Sequence, residues 1–223
     1  MIVAIRPEPG LQSTLLLGEE MGLAITAMPL FEVSPLPWEA PDPAQFDALL
    51  LGSANAVRHG GPTLAAYRHL PAYAVGETTA EVARAAGFTV AFAGSGGLQA
   101  LSDTIDDKAR FLRLAGTEHV PLVLAERISV TTVVVYDVRA MPISADDAEK
   151  LGAGSPLVLL HSAAAARHFA DECERCGLDK ATIALACIGS RVAAAAGPGW
   201  RDSQCPPKPN DSALLALARD MCQ

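Results

Sequence analysis

The sequence predicts an α/β protein made of two similar domains, each a parallel sheet of flavodoxin-like kind covered by helices. Three observations predict it. Short apolar runs with β-branched residues alternate with helical patterns, which is the signature of parallel sheets with helices on both faces. The chain also repeats itself at a nearly constant offset. Finally, 223 residues, half of them hydrophobic, suffice to bury two small cores.

The strand-like runs in the first half are IVAI, AITAMPL, ALLL, AYAV and TVAF. Between them lie helical patterns over Leu11–Met21, Ala54–Ala66, Thr79–Ala86 and Leu98–Ile105. In the second half, FLRLAG and TTVVVYDV read as strands. No convincing helix separates them, and HVPLVLAERI reads as a poor helix or a loop.

The repeat supports this order. LLLGSANAVRH, from Leu49, matches VLLHSAAAARH, from Val158: each is a strand pattern running through a serine into an alanine-rich helix start. AVGETTAEVARAAGF, from Ala74, matches CIGSRVAAAAGPGW, from Cys187. Two weaker matches pair IVAIRPE with FLRLAGTE and PLFEVSPLP with VVYDVRAMP. The offset stays between about 105 and 113 positions, which predicts duplication of a unit of roughly 110 residues. The Pro-rich stretch Phe31–Pro43 and its counterpart Val134–Asp147, at matching places in the repeat, read as extended linkers. Pattern alone leaves open whether they cross between the domains or whether the domains are sequential.

Composition excludes several classes. A net charge of −8 argues against a nucleic-acid partner. The N-terminal apolar run stops at Arg6-Pro7, too short for a signal peptide, and no run reaches the roughly 20 apolar residues of a membrane helix. A cytoplasmic protein without membrane contact is therefore expected. Of the five cysteines, Cys173 and Cys176 form C-x-x-C inside a helical pattern with no second pair at zinc spacing, so free thiols are expected rather than a metal site.

The strand-to-helix junctions are the candidate ligand sites. They are Gly52-Ser53-Ala54-Asn55, Gly76-Glu77-Thr78-Thr79, His161-Ser162-Ala163 and Gly189-Ser190-Arg191. Ligands of open α/β sheets bind beyond the carboxyl ends of the strands, where free N–H groups and helix dipoles favour anions. A set of four suits a polycarboxylate without reversing the negative net charge. The competing explanation is that serine, threonine and asparagine merely cap helices. Arg6 either projects toward the ligand or is a solvated surface residue. Tyr136 is a packing residue or a proton donor. His161 sits where a strand end faces ligand, while His119 and His168 have no evident partners. G-S-G-G at Gly94–Gly97 reads as a flexible turn. No nucleophile elbow, Walker loop, dinucleotide fingerprint or H-E-x-x-H is present, which leaves binding proteins and enzymes that act by positioning.

These segments resemble the uroporphyrinogen-III synthase family over nearly the whole chain. The matching parts are the opening strand with Arg6-Pro7, DALLLGSANAV, AVGETTAEVARAAGF with Gly76, Thr79 and Ala80, Gly96–Leu101, VVVYDV with Tyr136, CIGSRVAAAAG and the tail PNDSALLALA. Two features depart from the pattern: Val192 stands where a threonine is usual, so its role is lost or passes to Ser190, and the stretch from Gly116 to Thr131 is short, so one helix is missing. The resemblance implies two domains joined by a two-stranded linker around an open cleft. The division is then 1–33 with 144–223, and 40–130, linked by 34–39 and 131–143. It implies hydroxymethylbilane, with eight carboxylates, as substrate, its cyclisation with loss of water and inversion of the last pyrrole, and no metal or organic cofactor. The preceding pathway enzyme is a further expected partner. On this reading Arg6, Ser53, Asn55, Gly76, Thr78, Thr79, His161, Ser162, Gly189, Ser190 and Arg191 bind substrate, and Tyr136 acts as general acid in hydroxyl loss. A phenol is a weak acid, so its removal should be partly tolerated. The alternatives are a cytoplasmic two-domain binding or sensor module without catalysis and a flavin-binding α/β enzyme.

Overall fold

The computed structural model describes residues 1–94, 98–99 and 109–222. The chain divides into two compact units, one of Met1–Glu32 with Arg139–Gln223 and one of Val33–Val138.

The discontinuous unit holds a five-stranded sheet. Its strands are β1 (Ile2–Ala4), β2 (Ile25–Ala27), β9 (Leu157–Leu160), β10 (Ala184–Cys187) and β11 (Asp202–Gln204), in the order β11-β10-β9-β1-β2. All four pairings are parallel. The sequence alternates across this sheet. Val3, Val158, Leu160, Leu185 and Cys187 face one core with α4 (Ala145–Gly152), α5 (Ala163–Cys176) and α6 (Ser190–Ala196). Ile2, Ala4, Leu157, Leu159, Ala184 and Ala186 face the other with α1 (Gly10–Glu20) and α7 (Asp211–Met221). Both faces are thus apolar, which is why these strands read as continuous hydrophobic runs.

The continuous unit holds a six-stranded sheet of β3 (Phe31–Pro35), β4 (Ala48–Leu51), β5 (Ala72–Val75), β6 (Val90–Gly94), β7 (Ala109–Gly116) and β8 (Ile128–Ala140). Its order is β3-β8-β7-β4-β5-β6, and the pairings from β8 to β6 are parallel. Leu49, Leu51, Leu112 and Leu114 pack under α2 (Ala54–His59) and α3 (Glu77–Ala85). Burying each such leucine contributes roughly 2 kcal/mol. The opposite face, with Leu50 and Phe111, is packed by Leu98, Leu122 and Leu124.

Several expectations change in detail. The helix expected over Ala54–Ala66 stops at His59, and Pro62–Tyr67 forms a separate 3-10 turn. Two glycines and a proline, Gly60-Gly61-Pro62, break the α pattern there. Much of 131–143, expected as a linker, lies in the long strand β8, whose apolar residues give it a place in the sheet. Residues 117–127 form no helix, as the short stretch predicts. Of the helix expected over Leu98–Ile105 only Leu98 and Gln99 are described, and most of Gly96–Leu101 lies outside the described residues with it. Cys173 and Cys187 are buried in the core, and burial pushes their thiols up to about 12 and about 11. No helix among the described residues is long and apolar enough to cross a membrane.

Candidate functional site

In the second unit the carboxyl ends of β4, β5 and β7 lie side by side, with Leu51 in register with both Ala74 and Leu114. Beyond them is a cavity of about 270 Å³ lined by Gly52, Ser53, Arg113, Gly116, His119 and Tyr136, among others. Tyr136 reaches this place through a break in strand pairing. Ala115 pairs with Val134 but Gly116 pairs with Tyr136, leaving Val135 as an extra residue. Such a bulge re-aims a side chain, and here Val135 and Tyr136 join the same core despite being neighbours. The Tyr136 ring lies against Gly116 so closely that a Cβ there would stand 2.7 Å from it. His59 stacks obliquely at 6.2 Å between ring centres. Burial, aided by Arg58, pushes the His59 imidazole below its usual value, so it is neutral near pH 7.

Arg113 is the unexpected member. It is only 5% exposed; its Nη1 donates to the Val120 carbonyl at 2.9 Å, and its Nε has no hydrogen-bond partner among the described residues. Burial lowers its pKa, partly offset by Tyr136. His119 lies beside it, its Nδ1 2.9 Å from the Gly116 carbonyl. The signal in the sequence was a charged residue inside an apolar strand, FLRLAG.

The first unit carries a second polar cluster. Arg6 Nη1 donates to Asp211 Oδ2 at 2.7 Å and lies 3.1 Å from Thr14 Oγ1, whose hydroxyl donates to the same carboxylate oxygen at 3.0 Å. His161, its side chain 7% exposed, places Nε2 3.3 Å from Asp211 Oδ1, near enough for an ion pair but out of line for a hydrogen bond. Burial alone would raise the Asp211 carboxyl; His161, Arg6 and Thr14 outweigh it and hold it at about 2. Thus Arg6 is committed to Asp211, which sequence reasoning missed because Asn210-Asp211-Ser212 reads as an ordinary helix start.

The remaining candidates fall into two groups. Ser53 caps α2 through the Asn55 N–H at 3.2 Å, and Ser162 caps α5 through the Ala165 N–H at 3.1 Å, with nearly equal backbone angles. Asn55 accepts from Arg58, Thr79 is 5% exposed on the inner face of α3, and Thr78 is exposed. Gly76 takes φ +80° at the start of α3, a conformation that favours glycine. Gly189 opens α6, where Ser190 and Arg191 are exposed and, among the described residues, Arg191 has no ion pair. His168 does have a partner: its Nε2 lies 2.7 Å from the Met141 carbonyl. The two serine caps make a prediction. Ser53→Ala and Ser162→Ala each lower stability by about 1 kcal/mol, and the glycine variants by only a few tenths, in urea unfolding. Equal losses for alanine and glycine would disprove the capping role.

Residues 13–216 match the family model described as uroporphyrinogen-III synthase HemD. The chain belongs to the uroporphyrinogen-III synthase family. It is therefore an enzyme of the cyclising lyase type in haem biosynthesis. Among solved structures, it resembles the uroporphyrinogen-III synthetase of Helicobacter pylori, with 22% identity over 99% of this chain and 98% of that one and a TM-score of 0.70. It also resembles a mutant uroporphyrinogen III synthase of the extremely thermophilic bacterium Thermus thermophilus, with 16% identity over 100% and 99% and a TM-score of 0.57. These likenesses establish the fold. No curated protein sequence matches the chain significantly. Against the family pattern, Val192 is 8% exposed within the core, so no hydroxyl is available at that position.

Proposed function

We propose that this protein closes hydroxymethylbilane into uroporphyrinogen III. The C–O bond of the terminal hydroxymethyl group breaks, water leaves, and the last pyrrole is inverted through a spiro intermediate before the ring closes. The observation that carries this reading is the family match over residues 13–216; it disfavours a non-catalytic sensor. The two units serve as the two domains, joined where the chain passes at Glu32–Val33 and Val138–Arg139. A duplication of a flavodoxin-like unit accounts for their sheets. Numbered from β1, the first sheet runs 2-1-3-4-5. Numbered from β7, the parallel strands of the second run β8-β7-β4-β5-β6, the same order.

The work is chiefly orientation. Holding one bilane conformation converts a choice between ring closures into a single path. Backbone N–H groups at Ser53–Ala54, Glu77–Thr79, Ser162–Ala163 and Gly189–Arg191 receive carboxylates, with Arg191 adding charge; the Asn55 N–H is taken by Ser53 and the Gly76 N–H by the Gly94 carbonyl. Tyr136 donates to the departing hydroxyl, and Arg6, locked by Asp211, and His161, beside the same carboxylate, shape their strand ends. The chemistry asks for no cofactor, and the reaction belongs in the cytoplasm, fed by the enzyme that makes the bilane.

The deciding experiment supplies hydroxymethylbilane generated in place, oxidises the products and separates type I from type III porphyrin. Type III formed in proportion to added protein is expected. Type I alone, from folded protein, would refute the activity.

A further inference from the structure

We propose that the cavity around Arg113 is a carboxylate subsite that seats one acid-bearing arm of a pyrrole. This rests on the synthase reading for the identity of its occupant.

Three observations carry it. First, the arginine is nine-tenths buried yet incompletely satisfied: Nη1 is held by the Val120 carbonyl, while Nε is buried without a partner among the described residues. A charge withdrawn from water without a counter-ion is costly, so folds pair such groups or leave them for a ligand. Among the described residues no carboxylate pairs with it, and Glu118, which also lines the cavity, is exposed. Second, the room is right. About 270 Å³ is far too small for a tetrapyrrole but ample for one substituted pyrrole edge and its acid arm. Third, the surroundings suit an anion. Ser53 and His119 share the lining with Arg113. A planar guanidinium receives a carboxylate by paired hydrogen bonds, which fixes its direction as well as its place.

The fold explains why the charge lies here. Arg113 has the parity of Phe111 in β7, on the face packed by Leu98 and by Leu122 and Leu124 of the loop 117–127. The first unit covers its corresponding face with the helices α1 and α7. A loop leaves a carbonyl at Val120 free to hold the guanidinium, and leaves space beside it.

The probe is a monopyrrole carrying one acetate and one propionate arm, titrated into the full chain and followed by amide shifts in heteronuclear NMR. In the wild type we expect Gly52, Ser53 and Gly116 to shift, and the corresponding diamide to shift none of them. Arg113→Gln, shown folded by its melting curve, should weaken probe binding and raise the KM for type III formation about tenfold, with kcat within about twofold; Arg113→Lys should restore part of the loss. Probe binding that depends on Arg113 in a protein making only type I would keep the subsite and remove the synthase reading. Type III formation with unchanged KM and probe affinity in folded Arg113→Gln would overturn the subsite and leave the synthase. Should Arg113→Gln fail to fold, equal shifts by the diacid and the diamide in the wild type overturn it as well.

Discussion

Asp211→Asn lowers the unfolding free energy by about 2 kcal/mol at pH 7, about 1 kcal/mol at pH 3, and progressively less below that. The carboxyl titrates at about 2 in the folded protein against 3.8 ordinarily. A depressed folded pKa contributes stability that is fully present above the unfolded value and is lost as pH falls through the folded one. The stabilising partners are explicit: Arg6 at 2.7 Å, the Thr14 hydroxyl at 3.0 Å and His161 at 3.3 Å. Asparagine keeps the shape but leaves Arg6 without its counter-charge. Paired urea titrations of wild type and variant between pH 3 and pH 7 provide the check. Other depressed carboxyls, Asp47 and Glu172 among them, are common to both proteins and cancel in the difference. A gap that stays constant across this range would show that the carboxylate is not what holds the cluster.

The sequence disclosed the fold through its regularities and hid the site through its exceptions. Strands buried on both faces leave continuous apolar runs, so LVLL, ALAC and ALLL could be found without knowing their neighbours. The helix starts after Ser53 and Ser162 were legible because capping is local chemistry within three residues. What depends on distant partners was not. Asp211 meets Arg6 across 205 positions, and nothing beside either residue announces it. The extra residue in β8 leaves no mark in TTVVVYDV, because a bulge is defined by the partner strand. TTVVVYDV was legible as a strand, but its pairing with β7 through the stretch expected as a linker depends on residues far from it in sequence. Thr79 reads from sequence as a ligand-facing hydroxyl, yet one helical step turns it toward the core while Thr78 faces out.

The net charge illustrates how the two levels combine. An acidic chain binding a substrate with eight carboxylates looks contradictory if charge is summed. It is not contradictory where charge is placed. Exposed acids such as Glu77, Glu174 and Asp47 are paired with Arg84, Lys180 and Arg110. Those surface pairs contribute little to stability but soften the field that an approaching polyanion meets. Arg113 and Arg191, by contrast, have no carboxylate partner among the described residues. On the proposed reading, the placement of a buried cation such as Arg113, rather than the net charge, decides where an anion is received.

If Tyr136 acts as proposed, Tyr136→Phe lowers kcat roughly tenfold to a hundredfold and leaves KM nearly unchanged, because a general acid acts on the barrier rather than on binding. Residual turnover is expected, since orientation of the bilane survives loss of the hydroxyl. Complete inactivity of a folded variant would contradict a mechanism dominated by positioning. Gly116 supplies the control. A methyl group there would stand 2.7 Å from the Tyr136 ring and 3.0 Å from its hydroxyl. The ring is buried, so Gly116→Ala must displace it and should reduce kcat by a similar factor. If glycine acts through the tyrosine alone, the double variant falls no further than Tyr136→Phe, and the coupling in the cycle equals the whole effect of Gly116→Ala. Additive losses would instead mean that the backbone at Gly116 meets substrate directly, and that the bulge in β8 serves the strand edge rather than the phenol.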